Sequence, residues 1–216
     1  MDTYKLLKSL KSLEGPFPIF EYKDVPANPN ELFQDWFQVA IENGVHEPHS
    51  MTLSTIDNDG YPDARVLILK DLDADGWYFA SSSNSVKGQQ LKRNPNVSLT
   101  FYWSLIGRQV RIRGTSMKVG EEQSVKDFLE RGEVAKAIAL LGKQSQVLPD
   151  RKTLDESLIK KLEYTKNNPD KADPDWSLYK VKAREVEFWQ GDRERKHIRL
   201  LYRLENNKWI RELLWP

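Results

Sequence analysis

Arg195, His197 and Arg199 recur at every second residue near the C-terminus, a spacing that on a β-strand sets all three on one face, with Ile198, Leu200 and Tyr202 on the other. Three cationic or cation-capable groups in a row repel one another unless something anionic sits opposite. Two readings follow: a solvated outer face, or a site for an anion or an electron-rich cofactor. A second basic pair, Arg65 and Lys70, brackets the apolar run Val66-Leu67-Ile68-Leu69. That run predicts a strand buried on both faces. Its flanking cations either end it in solvent or grip phosphate, for which Arg offers a bidentate fork and Lys a point charge. Lys87 stands at the start of a helix beginning near Ser85, where unpaired backbone N–H groups already favour an anion. Gln109 shares a strand face with Arg111 and Arg113. Surface placement accounts for it, but its amide also suits a flat heterocycle with alternating donors and acceptors. Trp103 and Trp189 read first as core or interface aromatics and second as stacking platforms.

Several other chemistries lack support. The chain has no Cys, which removes disulfides, a thiolate nucleophile, Cys-ligated zinc and iron–sulfur clusters. His46, Glu47 and His49 are close in sequence, but Pro48 breaks any helical face and no third ligand motif follows, so no metal site is expected. No G-x-S-x-G elbow, Walker loop or G-x-G-x-x-G appears. With 33 Lys and Arg against 32 Asp and Glu, the net charge of +1 offers no bulk attraction to nucleic acid or an anionic membrane. The first residues carry no leader pattern, and no apolar run nears the ~20 residues of a spanning helix. The expectation is a cytoplasmic protein.

The 216 residues include 7 Trp, 8 Tyr and 8 Phe, enough aromatic mass for a real core. Apolar spacing predicts a short amphipathic helix over 4–13 and a second over 29–43, with Phe33, Trp36, Phe37, Ala40 and Ile41 as its core stripe. From residue 50 the period falls to two. Strands are expected over 50–56, 64–70 and 77–81, with turns at Asp57–Gly60 and at 71–76. A helix over 83–94 follows, then an antiparallel pair over 96–103 and 108–119. Residues 121–141 and 153–167 read as helical, 167–175 as a charged linker, and the remainder as an antiparallel sheet. Strand–helix–strand alternation is absent, so the chain reads as mainly β, an antiparallel Greek-key barrel with helical decoration. Trp209, Ile210, Leu213, Leu214 and Trp215 are more apolar mass than a free sheet edge carries comfortably, so either a partner copy or the chain's own barrel covers them.

From about Pro26 to Pro216 the chain resembles the pyridoxamine 5′-phosphate oxidases. The resemblance is carried by Arg65-Val-Leu-Ile-Leu-Lys70, Ser85-Val86-Lys87-Gly88, Arg108-Gln109-Val110, Lys143-Gln144-Ser145, and Phe188-Trp189-Gln190-Gly191 with Arg195-x-His197-x-Arg199. It implies a homodimeric split β-barrel that binds FMN. It also implies an N-terminal helix and arm over 1–25, the FMN-binding barrel over 26–145, a helix and linker over 146–175, and a dimerisation sheet completing the site over 176–216. By the same resemblance Arg65 and Lys87, helped by Gln144 and Ser145, hold the FMN phosphate, with Val66, Leu67, Lys70 and Ser81 also in the cofactor site. Gln109, Trp189 and Arg199 surround the ring, where a cation stabilises reduced flavin. Lys70, Arg131, Arg195 and His197 hold the substrate, with Arg195 and His197 catalytic. The family passes a hydride from a pyridoxine or pyridoxamine phosphate to the flavin, which O2 reoxidises.

Departures bear on the substrate. Val86 stands where the family usually has Arg, and Ile198 where it commonly has Asp. Asp127, Arg131 and Ala135 replace a usual Tyr, Arg and Ser in the substrate-phosphate cluster, so two donors are lost and a carboxylate is expected to repel a dianion. Gly44-Val45-His46-Glu47-Pro48, Lys87-Gly88 and Tyr102-Trp103 look closer to a branch that oxidises phenazine precursors, aromatic acids without phosphate. Another aromatic substrate, such as a dihydrophenazine carboxylic acid, is therefore the alternative, followed by a flavin-binding protein without turnover.

Overall fold

The computed structural model describes residues 1–216. Six α-helices and nine strands follow in the order α1 (Thr3–Ser9), α2 (Pro29–Glu42), β1 (Ser50–Ile56), β2 (Pro62–Ile68), β3 (Asp71–Asp73), β4 (Gly76–Ser82), α3 (Val86–Arg93), β5 (Asn96–Trp103), β6 (Arg108–Lys118), α4 (Glu121–Leu129), α5 (Glu133–Leu140), α6 (Arg151–Asn167), β7 (Trp176–Gln190), β8 (Ile198–Glu205) and β9 (Lys208–Leu213). Hydrogen-bonded neighbours run β2-β1-β5-β6-β7-β4-β3, with β8 on β7 and β9 on β8. The β3–β4, β4–β7, β7–β8 and β8–β9 pairs are antiparallel. Besides its neighbour β6, β7 pairs with two strands in turn: residues 176–181 with β4, and 185–190 with β8. The residues divide into two compact units, Met1–Leu53, Ser98–Arg113 and Ala183–Pro216 in the first, Ser54–Val97 and Gly114–Lys182 in the second.

The first unit is built on aromatics. Asn28 caps α2 by accepting from the Asn30 amide, and Pro29 begins the helix where its missing N–H is no loss. The helix buries Leu32, Phe33, Trp36 and Ala40, whereas Ile41, expected in the stripe, is exposed. Phe33 meets Phe101 edge-on at 4.9 Å, Trp36 meets Phe188 at 5.1 Å, and Phe188 meets Tyr202 at 5.7 Å. Trp103 is core, and its indole N–H donates to the Pro48 carbonyl at 2.9 Å. No residue of α1 is buried.

The second unit buries Trp77, Phe79, Leu91, Phe128, Tyr179 and Val181, with the Phe79 and Tyr179 rings stacked at 5.2 Å. Ser85 caps α3 by accepting from the Gly88 amide at 3.2 Å. Gly88 is needed at that spot: a Cβ there would lie 2.5 Å from the carbonyl oxygens of both Ser82 and Ser83. Three sequence expectations are revised here. The segment 121–141 is two helices, broken at Arg131-Gly132. The turn at 71–76 contains a short strand, β3, paired with β4. β2 is not buried on both faces; it ends the strand order, and Val66 (68% exposed) and Ile68 (44%) face away from the half-buried Arg65 and Leu67.

Candidate functional site

In the second unit, alternation along β2 turns Arg65 inward, where three partners fix it. Its guanidinium donates to Thr55 Oγ1 at 2.5 Å and to Gln90 Oε1 at 3.3 Å and is ion-paired with Asp63. Gln90 in turn donates to Asp63 at 3.0 Å and accepts from Thr55 at 2.6 Å. Lys87, in the first turn of α3, is 7% exposed, and its Nζ lies 3.5 Å from Ser85 Oγ, itself 3.4 Å from Ser81 Oγ. No carboxylate lies within ion-pair distance of Lys87. Burial first, and the Arg65 charge second, hold its pKa below the ordinary lysine range, with Asp63 opposing. A buried cation beside a second cation, two hydroxyls and a helix N-terminus is short of one anion.

Ser81 also lines a cavity of about 580 Å³, together with Leu67, Lys70, Arg131, Gln144 and Trp176. Lys70 Nζ makes an ion pair with Asp127 Oδ1 at 2.9 Å, and the Trp176 indole N–H donates to Asp127 Oδ2 at 2.8 Å. The Arg131 guanidinium lies 4.0 Å over the Trp176 ring and donates to the Ala135 carbonyl at 3.4 Å, while its Nε is buried without a partner. Burial holds Arg131 below the usual arginine range. The expected repulsion from Asp127 is thus redirected: the carboxylate is already engaged by Lys70. Ser145, with a φ of 70°, stands in an exposed segment beside Gln144, and Val86 is exposed with no donor to offer.

The remaining candidates lie in the first unit. Arg195, His197 and Arg199 do not share a strand face, because β8 begins only at Ile198. Arg195 sits in an exposed turn with a left-handed φ of 68°, where the period of two has no meaning. His197 is half-buried, 4.9 Å from the Trp189 ring, and its Nδ1 accepts the Asp192 N–H at 3.0 Å. Its pKa lies below the ordinary 6.5, first through burial and then through the Arg195 charge, with Asp192 opposing. Arg199 faces Trp189 across the β7–β8 ladder and is not free: Nε donates to Glu187 at 2.8 Å and Nη1 to the Trp215 carbonyl at 2.9 Å. Arg111 also pairs with Glu187, and Arg113 with Glu185 at 2.6 Å. Of the three basic residues spaced by two near the C-terminus, Arg199 alone meets one of these carboxylates. The Arg111 and Arg113 pairs are legible in the sequence as Glu185-x-Glu187 matching Arg111-x-Arg113. Asp63, Thr55 and Gln90 had no comparable pattern.

Within the motifs, alternate residues do different work. Arg108 is buried over Trp36 at 4.3 Å and donates to Gln190 Oε1 at 2.8 Å, with burial pushing its pKa down to about 10. The Gln190 amide donates to the carbonyls of Ile106 and Gly107, both at 3.2 Å. Arg108 and Gln190 therefore hold the fold, while their neighbours Gln109 and Trp189 are left half-exposed.

Residues 37–156 match the family model described as pyridoxamine 5′-phosphate oxidase. A pyridoxine/pyridoxamine 5′-phosphate oxidase of Acaryochloris marina is 39% identical over 193 residues, covering 89% of this chain and 88% of the relative. The chain belongs to the pyridoxamine 5′-phosphate oxidase family. As a member it is an FMN-dependent oxidoreductase. Residues 176–216 match the pyridoxine 5′-phosphate oxidase C-terminal dimerisation region. The enzyme of that name from Pseudomonas fluorescens strain SBW25 is 40% identical, covering 88% of this chain and 90% of the relative. Among solved structures, PhzG from Burkholderia lata 383, in complex with tetrahydrophenazine-1-carboxylic acid, superposes with a TM-score of 0.87 at 30% identity, over 95% of this chain and all of that one. The family's split-barrel fold is therefore the fold of this chain. Its residues also suit the family's cofactor. Lys87 is a buried cation lacking a carboxylate, beside Arg65 and the start of α3, and this donor set matches a phosphate monoester.

Proposed function

We propose that this chain is a homodimeric FMN-dependent oxidase of a small aromatic anion. The observation that carries this is the buried, carboxylate-free Lys87 beside Arg65, joined through Ser81 to a cavity with Lys70 and Arg131 on its wall. Bound FMN supplies a two-electron acceptor for hydride from the substrate and a route for those electrons to O2.

The chain's own residues bind and orient. Arg65, Lys87 and Ser81, with the Val66–Leu67 backbone and with Gln144 and Ser145, hold the cofactor's phosphate end. Gln109, Trp189 and Arg199 frame its ring. Lys70 and Arg131 receive the anionic end of the substrate in a largely apolar cavity. Arg195 and His197 complete the substrate site in the assembled pair, a reading supported by the match of 176–216 to a dimerisation region. His197 accepts at Nδ1, so its proton stays at Nε2, where it serves as a hydrogen-bond donor.

Pyridoxine or pyridoxamine 5′-phosphate is the first candidate, supported by relatives of those names at 36–40% identity. A reduced phenazine carboxylic acid is the second, supported by the acid in the Burkholderia lata structure and by Asp127 on Lys70. Anaerobic mixing of the FMN-loaded protein with pyridoxamine 5′-phosphate bleaches the flavin if the first reading holds. Bleaching by a dihydrophenazine carboxylic acid alone favours the second, and bleaching by neither removes the oxidase reading. A protein that takes up no FMN removes both.

A further inference from the structure

The geometry points to Asp127 as the residue that selects the substrate's charge, making the cavity prefer an aromatic monoanion such as a carboxylate over an aromatic phosphate dianion. The inference rests on the preceding reading in taking this cavity as the substrate's pocket.

Asp127 is 9% exposed and both of its oxygens are engaged, one by Lys70 Nζ and one by the Trp176 indole. A carboxylate so placed does two things. It neutralises the cation that would otherwise meet an incoming anion. It also stays put, since losing it from Lys70 would leave a carboxylate buried against Trp176 with one partner fewer.

The other charged groups on the wall are few. Arg131 lies over the Trp176 ring and spends one N–H on the Ala135 carbonyl, and Ala135 has no side-chain donor. Lys143 also lines the cavity but is exposed, so solvent screens it. Lys70 is also open to solvent, but unlike Lys143 its Nζ is held by Asp127, so the charges of Lys70, Arg131 and Asp127 sum to one positive charge at the wall. The rest of the wall carries no charge: Leu67, Ile68, Ile138, Leu148 and Leu154 are apolar, and Ser81, Ser82, Gln144, Gln146, Thr153 and Ser157 are neutral polar residues that add hydrogen-bonding groups but leave the charge balance unchanged. One positive charge balances a carboxylate. A phosphate dianion leaves one charge uncompensated and feels twice the repulsion from Asp127, because the Coulomb energy scales with the charge.

The test uses two ligands sharing one ring system, 1-naphthoate and 1-naphthyl phosphate, titrated calorimetrically at pH 8 into the protein with and without FMN. The wild type binds naphthoate at least about tenfold more tightly, and Asp127→Asn, which can still accept from Trp176, narrows that ratio by about tenfold or more. Asp127→Glu keeps the wild-type preference. A wild type that prefers the phosphate, an Asp127→Asn ratio equal to the wild-type ratio, or binding of neither ligand overturns the assignment. The ratio decides for or against Asp127 whether or not FMN is bound. FMN uptake, read separately from the visible spectrum, decides the flavin reading.

Discussion

Lys87 and His197 illustrate how single side chains are set against their surroundings. Lys87 is buried beside Arg65 with no carboxylate of its own, so the protein without cofactor carries an uncompensated charge. Lys87→Met removes that charge while keeping the stem's volume. The variant without FMN should melt at a higher temperature than the wild type, by an amount equivalent to about 1 kcal/mol or more. Its FMN affinity should fall about thirtyfold, the loss of one charge-assisted contact of about 2 kcal/mol. Opposite signs in the two measurements are the signature; a Met variant that loses stability and keeps FMN would place the phosphate elsewhere. His197 is the other case. Nδ1 accepts the Asp192 amide, so protonation there breaks a hydrogen bond, and both burial and Arg195 disfavour the charged ring. Nitrogen-detected NMR should show the Nε2–H tautomer and a midpoint below 6.5. Arg195→Ala should raise that midpoint without restoring it fully, because burial is the larger cause. The stability consequence has a definite sign. The unfolded chain binds the proton at 6.5 and the folded chain only lower, so His197 costs stability as pH falls through that interval and nothing above it.

At the level of elements, α3 is the piece whose start must be built to tolerance. Gly88 lies against two backbone carbonyls that cannot swing away as a side-chain tip could. Gly88→Ala should cost about 1–3 kcal/mol of stability, seen as a lower melting temperature, and should release FMN, because the first turn holding Lys87 must shift. A variant melting and binding like the wild type would mean the turn relaxes without loss. α2, the hairpin strands, the β5–β6 pair, the Ser85 cap and the linker before β7 were legible because period, turn residues and caps are local signals. Arg131-Gly132 breaks a stretch whose composition reads helical throughout, and composition carries no position. The start of β8 was misplaced because alternating basic residues continue back through a turn that only the left-handed Arg195 reveals. Asp127 was readable as a missing donor but not as a partner of Lys70, since a contact between residues 57 apart in sequence leaves no local trace. The same limit hid the Arg199–Glu187 pair: matched spacing points Glu187 at Arg111 of β6, but only strand order adds Arg199 of β8 to the same carboxylate.

For the whole molecule, the issue is what covers the apolar surface that a single chain leaves bare. β2 ends the strand order with Val66 and Ile68 turned outward, and the C-terminal segment leaves Ile210, Leu213 and Trp215 exposed, the last at 91%. Alternation makes β2 a single strand with two tasks: Arg65 and Leu67 face the proposed cofactor side, and Val66 and Ile68 face away. An unpaired edge with large aliphatic side chains invites association, and the match of 176–216 to a dimerisation region agrees with that use. The wild type should sediment at twice the chain mass at micromolar concentration, with a melting temperature that rises with protein concentration. Val66→Asp combined with Ile68→Asp should shift the mass to that of one chain, because burying two carboxylates without partners opposes any contact through this face. FMN affinity in the same variant then separates two architectures. If the site needs both copies, the monomer loses FMN although Arg65, Lys87 and Ser81 are untouched. A monomer that binds FMN as tightly as the wild type would put the whole cofactor site in one chain, and a double variant that still sediments as a pair would remove β2 from the interface.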